Sequence, residues 1–311
     1  TPRVILLGHI DTVFSEVEPV RVLTEDAVNF YGDGVIDMKG GITLMLESLK
    51  SLTISQRNSV KVIINDQEEA GSMDVREVLL AETKGGAPVL VFEPGVDDGS
   101  LVTSQSGVAW YEISVFGKAT HAGLEPQNGY SACVELSYKA VKLHMLNRFD
   151  EGIAVTVGSI SGGTKPNIVC DKASAKIDVR FLNPIQLETT EGKVRAIAEL
   201  FYLRNHVENF QPKSEMRQLV LLPMLEERYS QRLESIAVKT ARSLGQALRG
   251  QHVGYGSDGG IIASGNGNEI LVGLGPYGGG MHTRSEFMSK AGYDQRLKFN
   301  VAFLKILIEG K

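Results

Sequence analysis

The hydrophobic pattern of the chain contains short runs of consecutive apolar residues, which are typical of strands buried on both faces of a sheet. The runs cover Val4 to Leu7, Val60 to Ile64, Val89 to Phe92 and Ile270 to Leu274. Apolar residues also recur at helical spacing, at Ile42, Met45, Leu46 and Leu49 and at Leu233, Ile236, Ala237, Ala241 and Leu244. Because strands and helices alternate, the pattern predicts an α/β domain with a mostly parallel sheet flanked by helices.

The pattern changes in the middle of the chain. Alternating strand-like stretches and helix-like stretches follow one another at Val108 to Phe116, Tyr130 to Leu146, Ile153 to Ile160, Ala173 to Phe181 and Glu188 to Tyr202. This β-α-β-β-α order predicts a small α+β domain inserted into the larger one. We therefore place a discontinuous domain at residues 1–107 and 218–311 and the inserted domain at residues 108–217.

Side chains with metal-binding chemistry follow the predicted buried strands. They are His9 after the first strand, Asp66, Glu68 and Glu69 after the second, Glu93 after the third, His282 after the fourth, and Asp37 before the first helix. Sites in open α/β sheets assemble at the carboxyl ends of the strands, and zinc, manganese and cobalt accept imidazole and carboxylate ligands. Singly, each residue could be a packed histidine, a solvated acid or part of a turn. Their joint placement predicts a metal site.

Composition and charge exclude two classes of partner. With 311 residues and 42% hydrophobic content, the chain can bury a core large enough for two domains. The net charge of -5 comes without a long basic run, so neither nucleic acid nor an anionic membrane surface is an expected partner. No apolar stretch reaches the length of a membrane span.

Other conspicuous residues are not expected to carry chemistry. The two cysteines are too few for a disulfide framework. These cysteines and three histidines are predicted to be core or surface residues: Cys133, Cys170, His144, His206 and His252. The stretch Gly254 to Gly259 matches the dinucleotide-binding pattern, but no buried strand precedes it and no acid stands at Gly279. We interpret it as a mobile loop that lines a substrate pocket.

Several motifs, in their order and spacing, resemble those of the M20 metallopeptidases. They are His9 to Val13, Gly32 to Gly41, Asp66 to Ser72, Phe92 to Pro94, Gly117 to Gly123, Gly162 to Val169, Asp178 to Arg180 and His282 to Glu286. The resemblance covers nearly the whole chain and is strongest to the glutamate carboxypeptidase branch, of the carboxypeptidase G2 type. Members of that branch remove a C-terminal glutamate or a similar residue from peptides and folate-like conjugates.

The resemblance implies a site for two divalent metal ions, Zn2+ first, with Co2+ or Mn2+ as alternatives. It assigns Asp37 as the carboxylate that bridges the ions, with His9, Glu69, Glu93 and His282 as terminal ligands. Asp11 lies two residues after His9, where in extended backbone it can accept the other imidazole N–H. Adjacent side chains point apart in extended backbone, which leaves Glu68 as the general base that takes a proton from the bridging water.

For residues 108–217 the resemblance implies a ferredoxin-like domain that forms a homodimer and acts as a lid. It implies that His121 reaches the active site of the partner subunit and donates to the developing oxyanion. The local sequence alone favours an ordinary turn histidine there. Asn167 is expected to contact polar groups of the substrate, and Arg180 is interpreted as a structural partner of Asp178 or another acid.

The resulting hypothesis is a metal-dependent amide hydrolase, a carboxypeptidase that releases a C-terminal residue such as glutamate from peptide or N-acyl substrates. An N-acyl amino acid deacylase or related amidohydrolase with the same residues is the alternative. A non-catalytic scaffold of the same fold is disfavoured, because Glu68 and every ligand are present. The first two differ in the cation that holds the substrate carboxylate, and several arginines could serve, including Arg217 and Arg284.

The beginning of the sequence bears on location. Family members usually carry several dozen residues before the position of Thr1, so an N-terminal portion of the larger domain is expected to be missing. The sequence opens without a signal peptide, and a cytoplasmic location is expected. A signal peptide removed together with the missing portion is the open alternative.

Overall fold

The computed structural model describes residues 2–14, 19, 21–96 and 98–310. Its helices and strands, in chain order, are β1 (Val4–His9), β2 (Thr24–Glu25), β3 (Asn29–Tyr31), α1 (Lys39–Lys50), α2 (Ile54–Arg57), β4 (Val60–Asn65), α3 (Arg76–Glu82), β5 (Val89–Val91), β6 (Leu101–Gln105), β7 (Gly107–Phe116), α4 (Ala132–His144), β8 (Ala154–Gly162), β9 (Lys172–Phe181), α5 (Pro184–Glu199), β10 (Lys213–Leu222), α6 (Gln231–Ser243), β11 (Gly250–Val253), α7 (Asp258–Asn266), β12 (Ile270–Leu271), β13 (Gly278–Gly279), β14 (Phe287–Ser289) and α8 (Lys290–Glu309).

Two compact units divide these elements: the first is Thr1–Gln105 with Pro223–Lys311, and the second is Ser106–Leu222. The boundary predicted between residues 217 and 218 falls inside strand β10, which the hydrophobic pattern did not reveal. In the first half of β10 the exposed residues Lys213, Glu215 and Arg217 alternate with half-buried ones. This first half contains no apolar run, and the run Leu219 to Leu222 lies only in the second half, so a search for apolar runs misplaces the start of the strand.

The first unit is built on a four-stranded sheet in the order β12-β5-β1-β4, and all of its strand pairs are parallel. Alternate residues of β1 enter two hydrophobic clusters. Val4 and Leu6 pack with residues of α1, α6 and α8, whereas Ile5 and Leu7 pack with residues of α3 and α7. Helices therefore cover both faces of β1, which confirms the α/β prediction with a mostly parallel sheet.

One strand of this sheet differs from the prediction. The run Val60 to Ile64 forms β4, but β4 is the edge strand of the sheet in the described part of the chain. Val62 and Ile64 are 39% and 42% exposed. The prediction that this run is buried on both faces is therefore wrong, and Lys61, which interrupts the apolar residues, is consistent with an edge strand.

The helices of the first unit stabilise the sheet from the sides. Helix α8 has 20 residues, and it buries Phe299, Phe303 and Leu304 in the cluster that contains Val4 and Leu6. Across the described ranges, no helix has both the length and the apolar character that crossing a membrane would require.

The second unit has the element order β7-α4-β8-β9-α5-β10. Its strands form an antiparallel sheet in the order β10-β7-β9-β8. Leu136 of α4 and Val194 of α5 share one hydrophobic cluster with Ile113 and Ile177 of the sheet. This topology confirms the predicted ferredoxin-like α+β fold.

The two cysteines lie in this unit and are paired. Cys133, in α4, and Cys170, just before β9, form a disulfide with their Cα atoms 5.7 Å apart. Both were expected to be core or surface residues, and Cys170 is indeed buried in the core, but the bridge between them was not predicted. They are 37 residues apart in sequence, and only the packing of α4 against β9 brings them together.

The glycine-rich stretch Gly254 to Gly259 also differs from its interpretation as a loop. The Ser257 hydroxyl caps α7 by accepting a hydrogen bond from the Gly259 N–H at 3.2 Å. Asp258 and Gly259 are the first residues of this helix and are buried. The last third of the stretch is thus the start of a helix, and it belongs to the interior of the unit.

Candidate metal centre

The site begins at the carboxyl end of β1, where His9 is 1% exposed. Its Nδ1 lies 3.2 Å from Asp11 Oδ1. Its Nε2 lies 3.4 Å from both Asp37 Oδ1 and Glu93 Oε1. Within the described ranges this buried Nε2 has no hydrogen-bond partner. A buried imidazole nitrogen that faces carboxylates without a hydrogen bond has the placement of a metal ligand.

Asp37 lies between two histidines. Its Oδ1 faces His9 at 3.4 Å, and its Oδ2 lies 3.1 Å from Nε2 of His282. Helix α1, which follows Asp37, lies directly against the end of β5, because a Cβ atom at Gly41 would be 2.0 Å from the carbonyl oxygen of Phe92. This close approach brings the Asp37 carboxylate beside the residue that follows Phe92, which is Glu93.

Glu69 stands beside His282, on the other side of Asp37 from Glu93. Its Oε2 lies 3.5 Å from Nε2 of His282, and its buried Oε1 has no hydrogen-bond partner among the described residues. The arrangement therefore has two halves, one with His9 and Glu93 and the other with His282 and Glu69. Asp37 offers one carboxylate oxygen to each half.

Glu68 faces the half of the site that contains His9. Its Oε2 lies 3.9 Å from Nε2 of His9, while the adjacent Glu69 faces His282. Ligand atoms of His9, Glu68 and Glu93 lie within 4.8 Å of one another, as do those of His9, Asp37 and Glu69. Glu68 therefore lies beside His9, and the next residue in sequence, Glu69, lies beside His282.

Asp11 connects the two halves from behind. Its Oδ1 lies 3.2 Å from His9 Nδ1, and its Oδ2 accepts a hydrogen bond from the backbone N–H of Glu69 at 2.9 Å. Burial alone would raise the pKa of Asp11, but these hydrogen bonds outweigh burial and lower it. Asp11 is therefore an ionised group that orients both His9 and Glu69.

The charges of the site call for a cation. Burial and the charge of Glu93 raise the pKa of Glu68 well above its usual value. Burial, together with the charge of Asp37, raises the pKa of both Glu69 and Glu93 to about 7. Burial would also raise the pKa of Asp37, but the hydrogen bond with His282 and the proximity of His9 hold it below its usual value. Buried carboxylates that repel one another are stabilised by bound positive charge.

The donor set fits divalent metal ions. It consists of imidazole nitrogens and carboxylate oxygens, which zinc, manganese and cobalt accept. Two of its buried atoms, His9 Nε2 and Glu69 Oε1, make no hydrogen bond in the described structure, so each is available to a metal. The candidate ligands are His9, Asp37, Glu69, Glu93 and His282.

The metal-free protein is expected to lose stability as pH rises from about 5 to about 8. Glu69 and Glu93 have pKa values of about 7 when folded, so between their unfolded pKa and pH 7 the folded state binds more protons than the unfolded state. The raised pKa of His9 has the same sign at higher pH, although burial alone would lower it. Since one pKa unit is worth about 1.4 kcal/mol, a loss of at least about 1 kcal/mol is expected.

Urea unfolding of chelator-treated protein at the two pH values measures this effect. Saturation with Zn2+ should abolish the dependence, because the cation replaces the protons. A free energy of unfolding that stays constant or increases with pH in the metal-free protein would contradict this account of the site.

Glu286 contributes to the site although no function was predicted for it. It is 1% exposed. Its carboxylate accepts hydrogen bonds from the backbone N–H groups of Gly34 at 2.8 Å, Ile36 at 2.9 Å and Asp37 at 3.1 Å. Glu286 thereby fixes the loop that carries Asp37. In the sequence, Glu286 lies four residues after His282, within the motif His282 to Glu286. Its hydrogen-bond partners are about 250 residues away, so the sequence does not reveal this contact.

His121 and Asn167 belong to the second unit, where the structure brings them together. His121 forms an isolated bridge with Ile168, and the Ala122 N–H donates to the Asn167 carbonyl at 3.0 Å. The His121 ring is exposed, and its Nδ1 accepts a hydrogen bond from the Gly123 N–H at 3.1 Å. In the neutral ring this leaves the proton on Nε2, which can donate.

Each of the three arginines Arg180, Arg217 and Arg284 has an acidic partner. Arg180 donates from Nε and Nη2 to the carboxylate of Asp178, at 2.7 and 2.8 Å, which confirms the predicted pairing. Arg284 donates to Asp33 at 2.9 Å, and Arg217 donates to Glu112 at 3.1 Å. These pairings do not distinguish Arg217 from Arg284 as the group that would hold a substrate carboxylate.

The chain is similar to several known proteins. Residues 103–206 match the family model of the peptidase dimerisation domain. Carboxypeptidase G2 of Pseudomonas sp. (strain RS-16) is 31% identical over 187 residues, which is 58% of this chain and 44% of that relative. The uncharacterized protein YqjE of Bacillus subtilis (strain 168) is 27% identical over 270 residues, which is 85% of this chain and 70% of that relative.

The fold also matches a solved structure. The YXEP protein of Bacillus subtilis, described as a dinuclear metal binding peptidase from the M20 family, aligns over 99% of this chain and 82% of its own, with a TM-score of 0.68 and 15% identity. At that identity the match supports the fold alone. The chain spans less than half the length of carboxypeptidase G2.

Proposed function

We propose that this chain, which is similar to the M20 metallopeptidases, is a two-metal amide hydrolase that releases a C-terminal residue such as glutamate from peptide or N-acyl substrates. The observation that carries the proposal is the Asp37 carboxylate, whose two oxygens face His9 and His282. In two-metal hydrolases a shared carboxylate holds the ions roughly 3.5–4 Å apart.

Two divalent ions, Zn2+ by preference, would be held by the two halves of the site. His9 and Glu93 are the ligands in one half, His282 and Glu69 are the ligands in the other, and Asp37 contributes to both. When bound, the ions supply a water molecule of lowered pKa and an electrophile that polarises the substrate carbonyl.

Glu68 is the general base in this proposal. Its carboxylate lies beside His9 without taking part in the Asp37 pairings, and burial raises its pKa, which favours uptake of a proton. It takes a proton from the attacking water and delivers that proton to the leaving amine nitrogen. No covalent bond to the protein is needed.

Asp11 positions the ligands. The backbone carbonyl oxygen of Asp11 accepts the Nδ1–H of His9 at 3.2 Å, with Oδ1 equally close, which directs the Nε2 lone pair into the site. Through the Glu69 N–H, Asp11 also fixes the backbone of a second ligand. Asp11 thus supports both metal positions while binding neither.

The second unit is proposed to form a homodimer, in which His121 donates its Nε2–H to the developing oxyanion in the active site of the partner subunit. The match of residues 103–206 to a peptidase dimerisation domain and the exposure of the His121 ring support this step. Asn167, whose backbone is bonded to the same loop, is proposed to contact polar groups of the substrate.

A substrate panel tests the proposed specificity. We expect the Zn2+-loaded protein to hydrolyse peptides that end in glutamate, and to lose roughly 100-fold or more in kcat/KM when the terminal α-carboxylate is amidated, because the cation that would bind this carboxylate loses its partner. Hydrolysis of N-acetyl amino acids with no cleavage of peptides would instead assign a deacylase. Equal rates on free and amidated peptides would contradict the carboxypeptidase proposal.

A further inference from the structure

A buried carboxylate outside the metal ligands lies close to the segment that carries Glu68 and Glu69. Asp258, the first residue of α7, is 2% exposed. Its Oδ2 accepts a hydrogen bond from Nδ2 of Asn65 at 2.6 Å, and its Oδ1 accepts one from the hydroxyl of Ser72. Both carboxylate oxygens are therefore occupied by side chains from one short stretch of the chain.

The two donors stand at the ends of that stretch. Asn65 is the last residue of β4, and Ser72 closes the turn that follows Glu68 and Glu69. Within the turn, the Gly71 N–H donates to the Glu68 carbonyl at 2.8 Å, and the Ser72 N–H donates to the Gln67 carbonyl at 2.7 Å. One carboxylate thus fixes both the entry and the exit of the segment.

The contacts of Asn65 extend this control into the segment. Its Oδ1 accepts a hydrogen bond from the Gln67 N–H at 2.9 Å, while its Nδ2 is held by Asp258. The Asn65 amide is therefore fixed in one orientation, since each of its ends has a partner of the right polarity. Gln67 directly precedes Glu68, so Asp258 acts on the Glu68 backbone through a single intervening side chain.

Local helix stability does not account for Asp258. The capping of α7 is already provided by Ser257, whose hydroxyl accepts from the Gly259 N–H and donates to Gln105 Oε1 at 2.8 Å. The cap does not require a buried carboxylate in the next residue. Burying a carboxylate is unfavourable unless hydrogen bonds or opposite charges compensate it. The contacts of Asp258 run to β4 and its following turn, 193 and 186 residues away in sequence, respectively.

We propose that Asp258 is a positioning residue, which sets the general base Glu68 and the metal ligand Glu69 by holding Asn65 and Ser72 at the two ends of their segment. This inference rests on the proposed function for the roles of Glu68 and Glu69. Outer partners of metal ligands typically change metal affinity or activity by about 10–100-fold when they are replaced.

Zn2+ binding in competition with a chromophoric chelator tests the proposal without reference to activity. We expect Asp258→Asn, which has the same shape but places an amide against Asn65 or Ser72, to weaken Zn2+ binding about 10–100-fold. It should also lower kcat with little change in KM. Ser72→Ala, which removes one of the two hydrogen bonds and leaves Asp258 in place, should give a smaller loss in the same direction. The exposed Asp74→Asn is the matched control and should bind Zn2+ as the wild type does.

A double variant separates positioning from a purely structural role. Asn65→Asp combined with Asp258→Asn exchanges the amide and the carboxylate and restores a hydrogen bond between the two positions, so Zn2+ affinity should recover relative to either single variant. Wild-type Zn2+ affinity and kcat in Asp258→Asn, or a fall in thermal midpoint alone, would overturn the proposal, as would a double variant no better than the weaker single one.

Weakened Zn2+ binding in variants of a protein that cleaves nothing in the substrate panel would support positioning while rejecting the proposed function. If Asp258→Asn does not fold, Ser72→Ala decides, and wild-type Zn2+ affinity in Ser72→Ala would overturn the proposal.

Discussion

Replacement of Glu68 by glutamine is expected to lower kcat about 10²–10⁴-fold, the usual contribution of a general base, while metal content stays unchanged. Glutamine keeps the shape of the side chain but cannot accept the proton of the attacking water. The structure separates the effect on kcat from the effect on metal content. Glu68 lies 3.9 Å from His9, whereas the two oxygens of Asp37 already face His9 and His282. Steady-state kinetics and elemental analysis on the same preparation measure both quantities.

The control for Glu68→Gln is Glu77→Gln, which removes an exposed glutamate in the first turn of α3. Its activity and metal content should equal those of the wild type. A Glu68→Gln protein that retains turnover would reject Glu68 as the base. If turnover and bound metal were lost together, Glu68 would instead be a metal ligand. This outcome needs to be tested because Glu68 lies close to His9 and Glu93.

The second large effect is expected from Asp37→Asn. Asparagine offers one oxygen and one NH2 group, so one of the two histidine-containing halves would face a donor that cannot bind a metal. We expect metal content to fall below that of the wild type and kcat/KM to fall by roughly 10³-fold or more, since the shared ligand supports both ions. Elemental analysis and isothermal titration with Zn2+ measure the loss of binding.

Asp74→Asn, an exposed aspartate, is the control for the effect of losing one carboxylate. The metal-free Asp37→Asn protein should be folded, with a circular dichroism spectrum like that of the wild type. Full metal content in Asp37→Asn would contradict the bridging role. Loss of activity with both ions still bound would move Asp37 from the ligands to the groups that act on substrate.

The part of the fold that the sequence predicts best is the part where burial is uniform. Val4 to Leu7 is apolar throughout because β1 is covered on both faces, and an unbroken run is the signal that such a strand leaves. Val60 to Ile64 was interpreted in the same way, although Lys61 interrupts the apolar residues and β4 is an edge strand with Val62 and Ile64 exposed. Strand β10 shows the reverse case, because its polar first half conceals it.

The candidate site could be located from sequence because His9, Glu69 and Glu93 follow predicted strands and Asp37 precedes a predicted helix. The carboxyl ends of parallel strands converge, so placing His9 after β1 and Glu93 after β5 was enough to predict their proximity. The positions of Glu69 and His282 around Asp37 required the motifs, since the loops that carry them are irregular. Their roles as ligands stay predictions that the metal analysis tests.

Residues that act through hydrogen bonds to groups far away in the sequence were not predicted. Glu286 accepts hydrogen bonds from the Asp37 loop, and Asp258 accepts them from Asn65 and Ser72, across separations of 186 to 252 residues. No local pattern encodes such a pairing. The same holds for Cys133 and Cys170, which chain packing brings to a Cα distance of 5.7 Å.

The most direct test of the central claim is the number of metal ions bound per chain, measured by elemental analysis of the protein after incubation with Zn2+, Mn2+ or Co2+ and removal of free metal. The two-half arrangement around Asp37 predicts about two ions per chain. Absence of bound metal after incubation with each of the three ions would contradict the account.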